Sequence, residues 1–560
     1  MLHDRMGLEY LAELMHRRGI RHLIISPGSR NAPIIDAFCK RSGFECKAIV
    51  DERSAAFFAL GMAQQLQQPV AIACTSGTAV LNFSPAIAEA YYQRIPLLVL
   101  TADRPAEFID QADGQTIRQQ NVYANFVKKS FQLPQSINTP DDLWYANRLV
   151  SEALNAAVYP DAGPVHINLP FSEPLYGVKV PKIPVPKDFR VVQTSALLTP
   201  LALSELIVVW QGATKKMIIT GQLGPDYHLQ NLLGQCAKDH GVVVITETTS
   251  NLYDPAFIGW TDRCLAAMPD NSLDFAPDLL ITMGGAIVSK RIKTWLRKAK
   301  VKAHWHIDPT IINMDAYQQL SRSVPMQPAA FIAQLLAAIK PASGNYANIW
   351  KALSARAQTA HKAFLKNCPY SDLKIFKEIV GSIPPGYEIH LANSTPVRYA
   401  QLFEFPHCFR FDSNRGVSGI DGSISTAAGA ASISGKPTLM ITGDLGFFYD
   451  SNALWNKHLP KNLKIIMINN GGGGIFRYLD GPDQTGMLEE FFEASHDTSA
   501  EFIARAFGLG YYIASDIESL QMNLTVFFGE SQKPAMLEIK SPAKQSAATL
   551  RAYFKSLAGQ

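Results

Sequence analysis

The sequence predicts an α/β protein of three Rossmann-like, doubly wound parallel-sheet domains. Three observations carry that expectation. Short β-branched and apolar runs alternate with segments of helical periodicity. Small polar loops close several of those runs. Two breaks in composition, at 176–200 and 341–345, divide the chain into stretches of domain size.

In the first stretch the expected strands are 22–26, 47–50, 70–75, 97–101 and 165–169, with helical patterns such as 8–18 and 55–65 between them. The loops after them, from Ser26 to Arg30, Asp51 to Arg53, Thr75 to Thr78 and Ala102 to Pro105, gather at one carboxyl edge. Proline and lysine between 176 and 200 mark a linker. The second stretch has expected strands near 217–220, 242–246, 279–283 and 304–307. Its turn at Gly221 to Gly224 lacks a full G-x-G-x-x-G, which argues against nucleotide binding there. A helix at 349–366 leads into the third stretch, which closes with the apolar segments 502–507 and 535–539 and a C-terminal helix. The outer stretches are alike in layout. Expected domain bounds are 1–180, 190–345 and 365–560.

Bulk properties narrow the function classes. At 560 residues, the chain exceeds one core. Hydrophobic content of 47% and charged content of 18% describe a globular protein, and no apolar run approaches the roughly 20 residues of a membrane helix. Charges scattered through 1–22 argue against a secretory signal. Seven cysteines without a Cys-x-x-Cys pair suggest reduced thiols and a cytoplasmic location. A net charge of +4, evenly spread, argues against nucleic acid.

The chemistry concentrates in the third stretch. An apolar run ends in Gly443-Asp444-Leu445-Gly446, a patterned segment 447–458 follows, and a second run ends in Asn469-Asn470-Gly471-Gly472. A right-handed crossover would set the two strands side by side, so that Asp444 and Asn470 leave the sheet at one edge. With the Gly472 carbonyl they form an oxygen-only donor set suited to an octahedral divalent cation that also holds phosphate. Read alone, both strings are also ordinary turn signals.

The Gly-Asp…Asn-Asn pattern resembles the diphosphate-anchoring motif of thiamine diphosphate enzymes. Further strings, ISPGSRNAPI from Ile25, DERSAAFFALGMA from Asp51, TSGTAVLNFSPAIAEA from Thr75, TADRP from Thr101, SKR from Ser289, SNRGVSGIDGSISTAAG from Ser413 and GGIFRYL from Gly473, resemble one branch of that family. This is the 2-succinyl-5-enolpyruvyl-6-hydroxy-3-cyclohexene-1-carboxylate synthase branch of menaquinone biosynthesis, and the likeness spans all three stretches.

The resemblance implies a thiamine diphosphate-binding fold and a transferase that decarboxylates 2-oxoglutarate and joins the remainder to isochorismate. It makes the first domain pyrimidine-binding and the third diphosphate-binding. Glu52 would be the carboxyl group that activates the coenzyme; its other reading is a first-turn carboxylate favoured by the helix dipole. Mg²⁺ or Mn²⁺ would sit on Asp444, Asn470 and Gly472. Gly443, Leu445, Ile475 and Thr78 would touch the coenzyme, unless Thr78 merely caps the next helix. Ser394, Arg398 and Arg415 would hold the succinyl portion. Ser29, Arg30, Arg104, Gln115, Lys290 and Arg291 would face isochorismate, Ile475 and Phe476 would form apolar walls of the pocket, and Phe476 and Leu479 would contact substrate. Guanidinium forks suit the carboxylates of both substrates. A homodimer or homotetramer is implied, since in relatives the two halves meet across chains.

Gly114, Ala106 and Gly446 depart from the family pattern. The rival enzyme reading is another 2-oxo acid carboligase or decarboxylase, acetolactate synthase-like, which would not need so many arginines. A non-catalytic scaffold would not need Glu52, and a nucleotide-binding ligase would need a lysine-bearing P-loop that Gly471 to Gly474 lack.

Overall fold

A computed structural model describes residues 2–269, 272–340, 344–405, 410–478 and 481–559. Part of the second expected break, at 341–343, and Leu479 lie outside them. Three sheets form in chain order. The first holds β1 (His22–Ile25), β2 (Glu45–Ala48), β3 (Val70–Cys74), β4 (Leu97–Asp103), β5 (Lys129–Gln132) and β6 (Val165–Pro170), in the order β2-β1-β3-β4-β6-β5. The second holds β7 (Lys216–Thr220), β8 (Val242–Ile245), β9 (Leu279–Met283), β10 (Ala303–Ile307) and β11 (Arg322–Val324), in the order β11-β10-β9-β7-β8. The third holds β12 (Glu388–Leu391), β13 (Arg410–Asp412), β14 (Thr438–Gly443), β15 (Leu463–Asn469), β16 (Gly510–Ala514) and β17 (Ala535–Lys540), in the order β13-β12-β14-β15-β17-β16. Every strand pair is parallel.

Counted from its own first strand, the third sheet repeats the order of the first. The likeness of the outer units is therefore topological. Central strands such as β3 and β4 are buried along their whole length, because helices cover both faces of a parallel sheet and leave no solvated side to alternate toward. In the outer sheets the order reverses beside the first strand, between β1 and β3 and between β12 and β14. Ligands bind at such a reversal, beyond the carboxyl ends of the strands.

Three expectations shift. The segment 502–507 belongs to a helix, Glu501–Ala506, and the neighbouring strand is β16; Phe502 is exposed, so its apolarity does not report a sheet. The patterned segment 447–458 is a short helix, Asp444–Tyr449, followed by a 3-10 turn, Ser451–Leu454. Strand β2 ends at Ala48, leaving Val50 exposed in the loop before Glu52.

The first and third units lock together through two helices, Glu52–Leu66 and Ser423–Ser434. Glycines set their separation. A Cβ on Gly61 would stand 1.9 Å from the Thr426 carbonyl oxygen, and one on Gly429 would stand 1.9 Å from that of Phe58. Neither carbonyl can yield without moving its helix. Gly61→Ala is therefore expected to destabilise the protein by at least ~1–3 kcal/mol, the usual penalty of overpacking. Urea unfolding at matched protein concentration reads this as a lower midpoint at unchanged slope.

Candidate active site

Glu52 opens the helix Glu52–Leu66, whose N-cap, Asp51, accepts from the backbone N–H groups of Arg53 and Ser54. The second oxygen of Asp51 accepts from Asn452 Nδ2 at 2.7 Å, tying the cap to the third unit. Glu52 is half-buried, and desolvation raises its pKa, helped by the charge of Asp51 and opposed by its own backbone N–H. It faces a cleft of about 540 Å³ walled by residues of 27–117, among them Gly28, Thr75, Gly77, Thr78 and Gln115.

The loops around this cleft are in contact. A Cβ on Gly28 would meet Thr75 Cβ at 2.3 Å. Gly77, at φ +89°, packs against the Gln115 backbone, and Gln115 itself adopts φ +56°. Left-handed backbone at a non-glycine residue is strained, and such strain collects at functional sites. Gly77 occupies the cap position of the helix Thr78–Asn82 and Thr78 is its first residue, so Thr78 does not cap that helix.

Arg30 and Arg104 share the same edge. Arg30 is 5% exposed, donates to the Phe171 carbonyl at 3.2 Å and pairs with Glu173 at 3.2 Å. Its pKa is lowered by burial and by the charge of Arg104. Arg104 donates to the carbonyl of Gly114 at 2.9 Å and pairs with Asp113 at 3.0 Å. Gly114 thus contributes a backbone oxygen, and the space where its Cβ would be is open. Ser29 is exposed at the mouth of the loop.

The second cluster lies on the third sheet. Strands β14 and β15 pair directly, Gly443 against Ile468, so Asp444 and Asn470 leave the same edge as the sequence predicts. Asp444 is 2% exposed; its carboxylate accepts from the N–H groups of Leu445 at 2.7 Å and Gly472 at 2.9 Å. Burial raises its pKa, while those N–H donors and His496, at 3.6 Å, pull it down. Asn470 donates to the buried Asp372, leaving its carbonyl oxygen buried and without a partner. Gly472 has φ +147°, and a Cβ there would stand 2.5 Å from the Glu493 carbonyl. One buried carboxylate and one buried, unsatisfied amide oxygen fit the donor chemistry of a hard divalent cation. At Gly446 a Cβ would press on Thr442 Oγ1 at 3.1 Å.

The third cluster joins the second and third units. Arg415 is 8% exposed and donates to Asn393 Oδ1 at 2.9 Å; Arg398 donates to the Val288 carbonyl at 3.4 Å. Burial and the charge of Arg398 lower the pKa of Arg415. The Nε atoms of both arginines are buried and unpartnered, and a buried N–H left open is costly unless a ligand takes it. Ser394, just before Arg398 in the chain, has φ +72°. Lys290 and Arg291 open the helix Lys290–Lys298, both exposed, with the Arg291 guanidinium 4.1 Å from the Phe554 ring. Ile475 and Phe476 lie in the 3-10 turn Gly474–Arg477 after the glycine loop, and Phe476 packs on Phe492 at 5.8 Å.

The fold thus gathers the candidate residues into three clusters. Glu52, Thr78, Gln115, Arg30 and Arg104 belong to the first unit's edge; Asp444, Asn470 and Gly472 to the third unit's edge; Arg398 and Arg415 to the junction of the second and third units. Four acids escaped the sequence reading. Glu89, from the first unit, accepts from the N–H groups of Gly416 and Val417 beside Arg415 at 2.6 and 2.8 Å. Asp372 orients Asn470. Glu247 and Asp262 flank Ser289. Only Glu247 carried a signal, as an acid directly beyond a β-rich run.

Residues 5–123 match the family described as thiamine pyrophosphate enzyme, N-terminal TPP binding domain, and residues 193–389 match the middle domain of thiamine pyrophosphate. A 2-succinyl-5-enolpyruvyl-6-hydroxy-3-cyclohexene-1-carboxylate synthase of Flavobacterium johnsoniae is 41% identical, with 100% of each chain covered. Proteins of the same name from Porphyromonas gingivalis and Desulfotalea psychrophila are 40% and 42% identical, covering 100% and 95% of this chain and 98% of each relative. With its Gly-Asp…Asn-Asn loop, its glutamate-headed helix and this full-length identity, the chain belongs to the 2-succinyl-5-enolpyruvyl-6-hydroxy-3-cyclohexene-1-carboxylate synthase family of thiamine diphosphate enzymes.

Proposed function

We propose that this enzyme breaks the C1–C2 bond of 2-oxoglutarate, releases CO₂, and bonds C2 to isochorismate in the menaquinone pathway. The observation that carries the choice of substrates is the pair of buried, unpartnered Nε–H donors on Arg398 and Arg415, a seat for a carboxylate that survives the reaction. Bound thiamine diphosphate supplies the nucleophilic carbon and the electron sink. The carboxyl of Glu52, whose pKa burial raises, would hydrogen-bond the aminopyrimidine ring and so activate it. Asp444, Asn470 and the Gly472 carbonyl would hold Mg²⁺ or Mn²⁺, which would neutralise diphosphate charge; Gly443, Leu445, Ile475 and Thr78 would contact the coenzyme. Ser394 joins the two arginines on the succinyl side. Ser29, Arg30, Arg104, Gln115, Lys290 and Arg291 orient isochorismate, Phe476 walls the pocket, and Leu479 is assigned to substrate by the resemblance alone.

The domains are assigned to 1–180, 190–345 and 365–560, and the working unit is a homodimer or homotetramer in which each chain completes its partner's site. The cytoplasm supplies both substrates. No helix among the described residues is long and apolar enough to cross a membrane.

Purified enzyme with thiamine diphosphate and Mg²⁺ is expected to consume isochorismate only when 2-oxoglutarate is present, with one CO₂ per product. Carboligation of pyruvate at a comparable kcat/KM would favour the acetolactate synthase-like alternative. Arg415→Ala is the companion measurement: loss of one member of a desolvated charge pair costs about 2–5 kcal/mol, read as a rise in KM for 2-oxoglutarate.

A further inference from the structure

The turn that presents Lys290 and Arg291 is held from three directions. Glu247, at the end of β8, accepts from the Val288 N–H at 2.6 Å through one oxygen and from the Ser289 N–H at 2.8 Å through the other. Arg398, from the third unit, donates to the Val288 carbonyl at 3.4 Å. Ser289 caps the following helix by accepting from the Ile292 N–H at 3.1 Å, while its hydroxyl donates to Asp262.

Glu247 is 4% exposed. A carboxylate so buried is costly unless its charge and lone pairs are used, and here both oxygens are used on backbone N–H groups. The charged and titratable groups around it are Asp262, Arg415, Lys293 and Tyr317. Its charge therefore attracts Arg415 while leaving the Nε donor of that arginine open. The adjoining turn is fastened as well, since Thr248 donates through its N–H and its hydroxyl to Gln401 of the third unit at 2.9 and 3.0 Å.

We propose that Glu247 is a positioning residue for the acceptor substrate: its carboxylate fixes the 288–291 turn so that Lys290 and Arg291 address isochorismate, with Asp262 as the second support. The inference rests on the assignment of Lys290 and Arg291 to isochorismate above. Burial pushes the Glu247 pKa up to about 7, against the pull of the two N–H donors and Arg415. Acidification through neutrality then protonates it and loosens the turn.

The test compares Glu247→Gln, Asp262→Asn and Arg291→Ala in the holoenzyme. Glu247→Gln presents an amide N–H₂ to one of the two N–H donors, and its KM for isochorismate is expected to rise about 10–100-fold, the usual loss on removing an orienting partner, with kcat falling far less. The parental KM rises as pH drops below about 7, and the Gln variant loses that dependence. Asp262→Asn, which keeps an acceptor for the Ser289 hydroxyl but removes its charge, weakens the hold independently; it shifts KM in the same direction by a smaller factor and covers the case in which Glu247→Gln fails to fold. Arg291→Ala separates the two readings. If it leaves KM unchanged, the substrate assignment is wrong and the proposal falls with it. If it raises KM while a folded Glu247→Gln or Asp262→Asn keeps the parental value and pH profile, the positioning role alone is overturned.

Discussion

Glu52→Gln lowers CO₂ release from 2-oxoglutarate by at least about 10²-fold, the lower bound of what a positioned acid–base group contributes. The substitution keeps the shape of the side chain, and the helix keeps its cap because Asp51, not Glu52, accepts from the first turn. Coenzyme affinity should change only a few-fold, since the diphosphate end is held elsewhere. The measurement that isolates the effect is deuterium exchange at the thiazolium C2 of bound thiamine diphosphate, which slows in step with CO₂ release if Glu52 acts on the ring. A variant that exchanges and releases CO₂ at the parental rate would remove Glu52 from the mechanism and return it to a first-turn carboxylate.

Mixing two dead chains is expected to restore activity. Asp444→Asn removes the one carboxylate of the proposed metal loop and Glu52→Gln the proposed activating acid, so a proposed homodimer of either variant is expected to be inactive. The walls of the Glu52 cleft come from 27–117, while Asp444 lies among Leu445, Gly472 and His496. If each working site draws one half from each subunit, a heterodimer carries one intact site and one doubly damaged one. Random reassortment of equal amounts should then recover about one quarter of wild-type activity, as expected for an isologous pair. Heterodimers demonstrated by mass, yet without activity, would mean that both halves act within one chain.

The sequence made the shared carboxyl edge of β14 and β15 legible because Gly-Asp and Asn-Asn-Gly-Gly interrupt long apolar runs, and a strand buried on both faces announces itself as such a run. Glu52 was legible for the same reason, standing between a strand and an alanine-rich helix. Strands β5, β11, β12, β13 and β16 were not. Four of the five lie at sheet edges, where one side of the ladder is open and exposed or half-exposed residues such as Lys129 and Tyr511 suffice. The fifth, β12, is central and buried, but only four residues long, with Glu388 and His390 breaking its apolar run. Asp262, Glu89 and Asp372 stayed hidden because their roles consist of contacts across large sequence separations, and nothing in the neighbouring residues marks such a partner; Glu247 had only its place beyond a β-rich run to mark it. Ser394 and Gln115 resembled ordinary polar loop residues; their left-handed backbone is visible only in three dimensions.

The helix that begins with Glu52 is pinned at Gly61, where no atom fits between it and the Thr426 carbonyl. At roughly 1.5 Å of rise per residue, the acid sits at the tip of a stiff rod whose pivot lies in the seam between two units. The tip is fastened to the third unit as well, through Asp51 and Asn452. Held at both places, the rod carries the acid along with that unit, and a shift between the two units would have to strain both fastenings before the acid lost its aim.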